Sequence, residues 1–160
     1  MPKLSQGNVF EAIDSSRAGL AVVFGHVGFN QMSVHWTKFS ARHPQLTGVR
    51  DPFTQLPNLP VQISNNTWLW FIPEETNHGM TDTLLTKTLD SALSWASRQN
   101  IKSVFMNGVA NTNHGNDTAH NRQSDEQRAR FLTSYARLAE EIHGINIELV
   151  SLNDTFIHPH

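Results

Sequence analysis

From residue 67 to residue 152 the chain alternates apolar, strand-like runs with amphipathic helical ones, in the order strand, helix, strand, helix, strand. TWLWFIP at 67–73 is apolar on both alternating faces, with Trp68, Trp70 and Ile72 on one and Leu69 and Phe71 on the other. Residues 81–98 place Leu85, Leu89, Ala92, Leu93 and Ala96 on one helical face, and Asn100 stands where a terminator is expected. IKSVFMNGV at 101–109 is the next strand. Ser124 with Gln127 reads as a capping-box start, and Asp125 and Glu126 suit the positive end of a helix. Leu132, Tyr135, Ala136, Ala139 and Ile142 supply that helix's apolar face, and Gly144 ends it. INIELVSL at 145–152 closes the series. A strand apolar on both faces must be covered on both. Strand–helix–strand order brings each strand back parallel through a right-handed crossover. The expectation is an α/β protein: a three-layer α/β/α sandwich with a mixed, largely parallel sheet, in a single domain over residues 1–160.

The first part of the chain extends this pattern. NVFEAIDSS reads as a short helix capped by Asn8, with Glu11 three residues on and Gly19 as its stop. LAVVF at 20–24 is a continuous apolar run, suited to a strand covered on both faces. A second helix is expected over Ser33 to Arg42, with Val34, Phe39 and the stem of Lys38 facing inward. His43-Pro44 ends it, because the residue before proline avoids the α region. Residues 45–60, with three prolines and a glycine, read as an irregular surface excursion. VQISNN and TWLWFIP read as paired strands joined at Asn65-Asn66, the second stopped by Pro73.

In an open parallel sheet, ligands bind in the crevice beyond the carboxyl ends of the strands. Three polar, glycine-bearing loops fall at such ends: 25–32, 74–80 and 107–122. Glycines there let backbone N–H groups approach a phosphate closely, although a tight turn needs glycine too. GHVGFNQMS at 25–33 has neither the dinucleotide fingerprint nor the P-loop spacing, and no cofactor is expected.

Composition narrows the partners. Charged residues make up 16% of the chain, against roughly 25% in typical domains, and no basic block appears. No nucleic-acid partner is expected. The chain has no cysteine, which excludes thiolate nucleophiles and thiolate zinc sites. Its nine histidines form no HExxH and no ligand-spaced cluster, so no metal is expected. No apolar run approaches the roughly 20 residues that span a bilayer, so no membrane partner is expected. MPKLSQGNVF has no apolar signal core, and a cytoplasmic location is the expectation. Asp117 with His120 could act as a general-base pair, or serve as a turn residue and a solvated histidine. Two alternatives stay open. One is a small hydrolase for a non-nucleotide substrate, using these loops or Asp154 with His158. The other is a non-catalytic interaction module with an exposed apolar patch in 45–60.

GNVF at 7–10, LAVVFGHVGFN at 20–30, VHWTKFSARHP at 34–44 and LDSALSWASRQNIKSVFMNGVANTNHG at 89–115, closed by NIELVSLND, together resemble the macro domain. That family comprises ADP-ribose-binding α/β folds. The likeness covers most of the chain and lies in order and pattern. It implies binding, and potentially hydrolysis, of a small nucleotide such as ADP-ribose. On this resemblance Asn8 stands where the family has its adenine-contacting acid, with Val9 beside it. Gly28, Asn30 and Gln31 fall in the first ligand loop, Asn30 near the distal ribose. Gly108, Val109, Ala110, Asn111, Thr112, Asn113 and Gly115 fall in the loop that wraps diphosphate and ribose. In a hydrolase of this kind Asn30 would position the ribose or a water, and His26, His114 or Asp117 would assist proton transfer. The chain departs from the family at position 8, which is Asn rather than Asp, and lacks the family's glycine run beside Asn30.

Overall fold

The computed structural model describes residues 2–26, 34–74, 82–107 and 118–151. Its elements are β1 (Lys3–Gln6), α1 (Val9–Ser16), β2 (Gly19–His26), α2 (Val34–Ala41), a 3-10 turn (Pro44–Leu46), α3 (Pro52–Gln55), β3 (Pro60–Ser64), β4 (Thr67–Glu74), α4 (Asp82–Arg98), β5 (Ser103–Met106), α5 (Thr118–His143) and β6 (Asn146–Ser151). The six strands form one mixed sheet in the order β1-β6-β5-β2-β4-β3. All neighbours are parallel except β3, which runs antiparallel to β4 at the edge. No helix among the described residues is long and apolar enough to cross a membrane.

Period-two alternation decides which core each strand residue joins. Leu20, Val22 and Phe24 of β2, Trp70 and Ile72 of β4, and Val104 and Met106 of β5 pack beneath α4 and α5. Ala21, Val23, Leu69, Phe71 and Phe105 face the other way and pack with Val9, Phe10 and Ile13 of α1 and Trp36 and Phe39 of α2. The sheet is therefore covered on both faces, giving the three-layer α/β arrangement. The predicted face of α4 is buried throughout: Leu85, Leu89, Ala92, Leu93 and Ala96 are all 0% exposed. Each such leucine contributes on the order of 1.5–3 kcal/mol through loss of apolar contact with water. Asn100 ends α4 with a left-handed φ of 60°, and Ile101 N–H returns to the Ala96 carbonyl at 2.9 Å.

Several local expectations give way to longer-range contacts. β1 has no apolar alternation to announce it; it forms because β6 offers an open parallel edge, in the register Leu4↔Leu149. Arg17, not Gly19, ends α1: it takes a left-handed φ of 57° and donates its N–H to Ile13 O. Gly19 opens β2 at φ 119°, where a Cβ would lie 2.5 Å from the Ser103 carbonyl oxygen. Lys38 is exposed on α2, while Trp36 and Phe39 face inward.

Residues 45–60 are not simply a surface excursion, because Leu46 and Phe53 are buried and Trp36 Nε1 donates to Val49 O at 3.1 Å. β4 runs on through Pro73 to Glu74. The β3–β4 register begins at Pro60↔Trp70, so beyond the bridge Pro57↔Phe71 only β2, among the described residues, flanks Pro73. A proline is tolerated where one side of its strand has no ladder. α5 starts at Thr118, so Ser124, Asp125 and Glu126 lie inside the helix rather than at its positive end. Once a helix is nucleated, each added residue gains a hydrogen bond without a further nucleation cost, so a polar run without apolar spacing can still propagate it. Ile142 is 74% exposed. It points roughly 80° away from Leu132 around the α5 axis, off the stripe that meets the sheet.

Candidate functional site at the carboxyl edge of the sheet

The five parallel strands end on the same edge, at Gln6, Ser151, Met106, His26 and Glu74. α1 and α4 begin just after β1 and β4, and α5 begins after β5. Three helix N-termini, with their partial positive charge, therefore lie on this side of the molecule.

α1 is started by Asn8, whose extended backbone (φ −112°, ψ 134°) and Oδ1 accept the chain into the helix. Phe10 N–H donates to that Oδ1 at 2.9 Å. The cap holds Asn8 beside Gly7, whose N–H donates to Ser151 O at 2.7 Å. Since Oδ1 is committed to the cap, Asn8 has its Nδ2 donors to offer a ligand. Val9 is 3% exposed and its side chain belongs to the core. Only its backbone can face a ligand.

β2 and β4 stay paired to the last residue, in the register His26↔Glu74. Between β2 and β5 the register among the described residues closes earlier, at Val22↔Met106. Beyond it Asn107 bridges the strands: Phe24 N–H donates to Asn107 Oδ1 at 2.7 Å, and Asn107 Nδ2 donates to Phe24 O at 3.0 Å. Asn107 N–H reaches Val22 O at 3.4 Å. On the opposite face of the sheet Phe53 closes over Gly25, where a Cβ would lie 2.5 Å from Phe53 Cζ. Neither Asn107 nor Phe53 stands out in the sequence as a contributor to this edge. The only local signal is the Asn-Gly step at 107–108, which reads as a turn.

Of the residues expected to bind or act, Asn8 and Val9 lie at this edge. His26 is the last residue of β2, and its side chain lies outside the described residues. Gly28, Asn30, Gln31, Gly108, Val109, Ala110, Asn111, Thr112, Asn113, His114, Gly115 and Asp117 also lie outside the described residues. The chain segments carrying them leave from β2 and β5, the two strands that Asn107 joins. His120 and Arg122, expected in a loop, fall in the first turns of α5. Among the described residues no cluster of three or more His, Asp or Glu could hold a metal ion.

Away from the edge, a groove of about 510 Å³ runs along α4 between Lys87 and Arg98, floored by Trp70 and Trp95. Trp95 meets Trp68 edge-on at 4.9 Å between ring centroids. Trp70 Nε1 is buried without a hydrogen-bond acceptor among the described residues. Beside this groove the Tyr135 hydroxyl of α5 donates to Asp90 Oδ1 of α4. Burial first, then the hydrogen bond and the negative charge of Asp90, push the Tyr135 phenol well above its ordinary value. On the α1–α2 side Asp14 accepts from Arg42 Nη2 at 2.6 Å and meets His43 Nε2 at 2.9 Å, tying α1 to the segment just after α2. In the 45–60 segment the exposed large apolar residue among those described is Leu59, while Leu46 and Phe53 are buried.

No protein-family model matches the chain, and no curated protein matches it.

Proposed function

We propose that this chain binds ADP-ribose, or a closely related nucleotide metabolite, in the crevice at the carboxyl edge of its parallel sheet. The observation that carries the reading is the arrangement at the ends of β2 and β5: their described register closes at Val22↔Met106, β2 continues to His26, and the Asn107 side chain bonds Phe24 between them. The two segments that resemble macro-domain ligand loops leave from those two strand ends. The N-termini of α1, α4 and α5 on the same side favour an anionic ligand without requiring lysine or arginine contacts.

In this reading Asn30 contacts the distal ribose, residues 108–115 wrap the diphosphate through backbone N–H groups, and Asn8 with the Val9 backbone lies toward the base. If hydrolysis follows binding, Asn30 positions the ribose or a water and His26, His114 or Asp117 moves the proton. The test is calorimetric titration of the protein with ADP-ribose, with AMP and NAD as comparisons, repeated on Asn30→Ala and Gly108→Ala. Saturable binding of ADP-ribose, lost in the variants, is expected. No heat from any of the three nucleotides, or unchanged binding in Asn30→Ala, would overturn the reading. Turnover assays on bound ADP-ribose then separate a hydrolase from a binding module.

A further inference from the structure

We propose that Asn107 is the positioning residue of this crevice: its side-chain amide satisfies Phe24 of β2 just past the last described β2–β5 register pair, and so fixes the strand end from which the segment read as wrapping the diphosphate continues. The inference rests on the ADP-ribose reading above.

In a parallel ladder, the N–H and C=O of one residue bond two different peptide units of the neighbouring strand. Val22 keeps to that pattern, accepting from Asn107 N–H. Phe24 is the next residue of β2 to face the same neighbour. Both its partners come from one side chain, with Oδ1 accepting at 2.7 Å and Nδ2 donating at 3.0 Å. A primary amide carries the same donor and acceptor as a peptide group, so the ladder is satisfied without further main chain. Phe24 therefore needs no main-chain partner from the residues that follow Asn107.

The chemistry demands asparagine. Ionised aspartate accepts from Phe24 N–H but turns a negative oxygen toward Phe24 O. Glutamine carries one methylene too many. Alanine leaves a mostly buried N–H and C=O without partners.

The experiment titrates wild type, Asn107→Ala and Asn107→Asp with ADP-ribose at about pH 7.5 and about pH 5, and follows amide exchange at Phe24 in each. Asn107→Ala should weaken binding at least about tenfold and speed exchange at Phe24. Asn107→Asp should be weak at the higher pH and recover toward wild type at the lower one. A protonated carboxyl again both accepts and donates, and the Phe24 carbonyl favours that protonated form. Asn107→Asp keeps the side-chain shape and carries the test even where Asn107→Ala fails to fold. Wild-type affinity in Asn107→Ala, or an Asn107→Asp deficit relative to wild type that is equal at both pH values, would overturn the inference. If wild type takes up no ADP-ribose, the functional reading fails, and exchange at Phe24 decides this one. Faster exchange in Asn107→Asp that slows toward wild type on acidification supports the surrogate peptide, and unchanged exchange overturns it.

Discussion

Phe53 occupies the space that any side chain on Gly25 would need: a Cβ there would lie 2.5 Å from its Cζ and 2.6 Å from its Cε2. The ring also meets Phe71 edge-on at 5.6 Å, so it is held from two sides. Gly25→Ala should therefore lower stability by about 1–3 kcal/mol, read as a shifted denaturant midpoint. Phe53→Leu removes the far end of the ring, so the double variant should lose less than the sum of the singles. Strictly additive losses would mean that the ring can swing aside.

Leu89 is fully buried on the inner face of α4, whereas Leu138 is 59% exposed on α5. Leu89→Ala should cost about 2–5 kcal/mol through lost burial and a cavity. Leu138→Ala should stay within about 0.5 kcal/mol of wild type. Equal losses in urea unfolding would contradict the packing of both helices.

Arg17 and Asn100 each hold a left-handed backbone at a helix end, at φ 57° and 60°. That conformation costs a residue with a Cβ about 1–2 kcal/mol, and asparagine less than arginine. Arg17→Gly should raise the melting temperature despite the greater freedom glycine has when unfolded. Asn100→Gly should change it less, and Asn100→Val should lower it. A lower melting temperature in Arg17→Gly would place the contribution in the Arg17 side chain instead.

Tyr135 is the chain's one tyrosine, so tyrosinate absorbance reports it alone. Burial and Asp90 raise its phenol above the ordinary value, so the band should appear only at markedly more alkaline pH than for free tyrosine. The neutral form is the one the fold favours. Its contribution to stability is complete below about pH 10, the unfolded value, and is lost as pH rises beyond it. Asp90→Asn removes the charge and should bring titration back toward the ordinary value. An ordinary titration in the wild-type protein would contradict the Tyr135–Asp90 contact.

The layers were legible in the sequence because apolar spacing is a local property. The buried face of α4, the two faces of β4 and the Asn8 cap could all be read from neighbouring residues. The carboxyl edge was legible as a place, since strand–helix order directs polar loops there. Asn107 as a bridge was not legible. Its partner is 83 residues away, and the same Asn-Gly step would read as an ordinary turn. β1 was equally hidden, because KLSQ carries no alternation and pairs only once β6 is in place.

By itself the sequence determined the α/β class, the apolar face of α4 and the helix stops at Asn100 and Gly144, since each follows from backbone periodicity or the conformational preference of a single residue. Only the tertiary structure decided that β2 lies between β5 and β4, that β1 joins β6, and that Phe53 presses on Gly25. Those choices depend on which distant surfaces fit together, and complementarity of shape and hydrogen bonding across the sheet leaves no period in the chain.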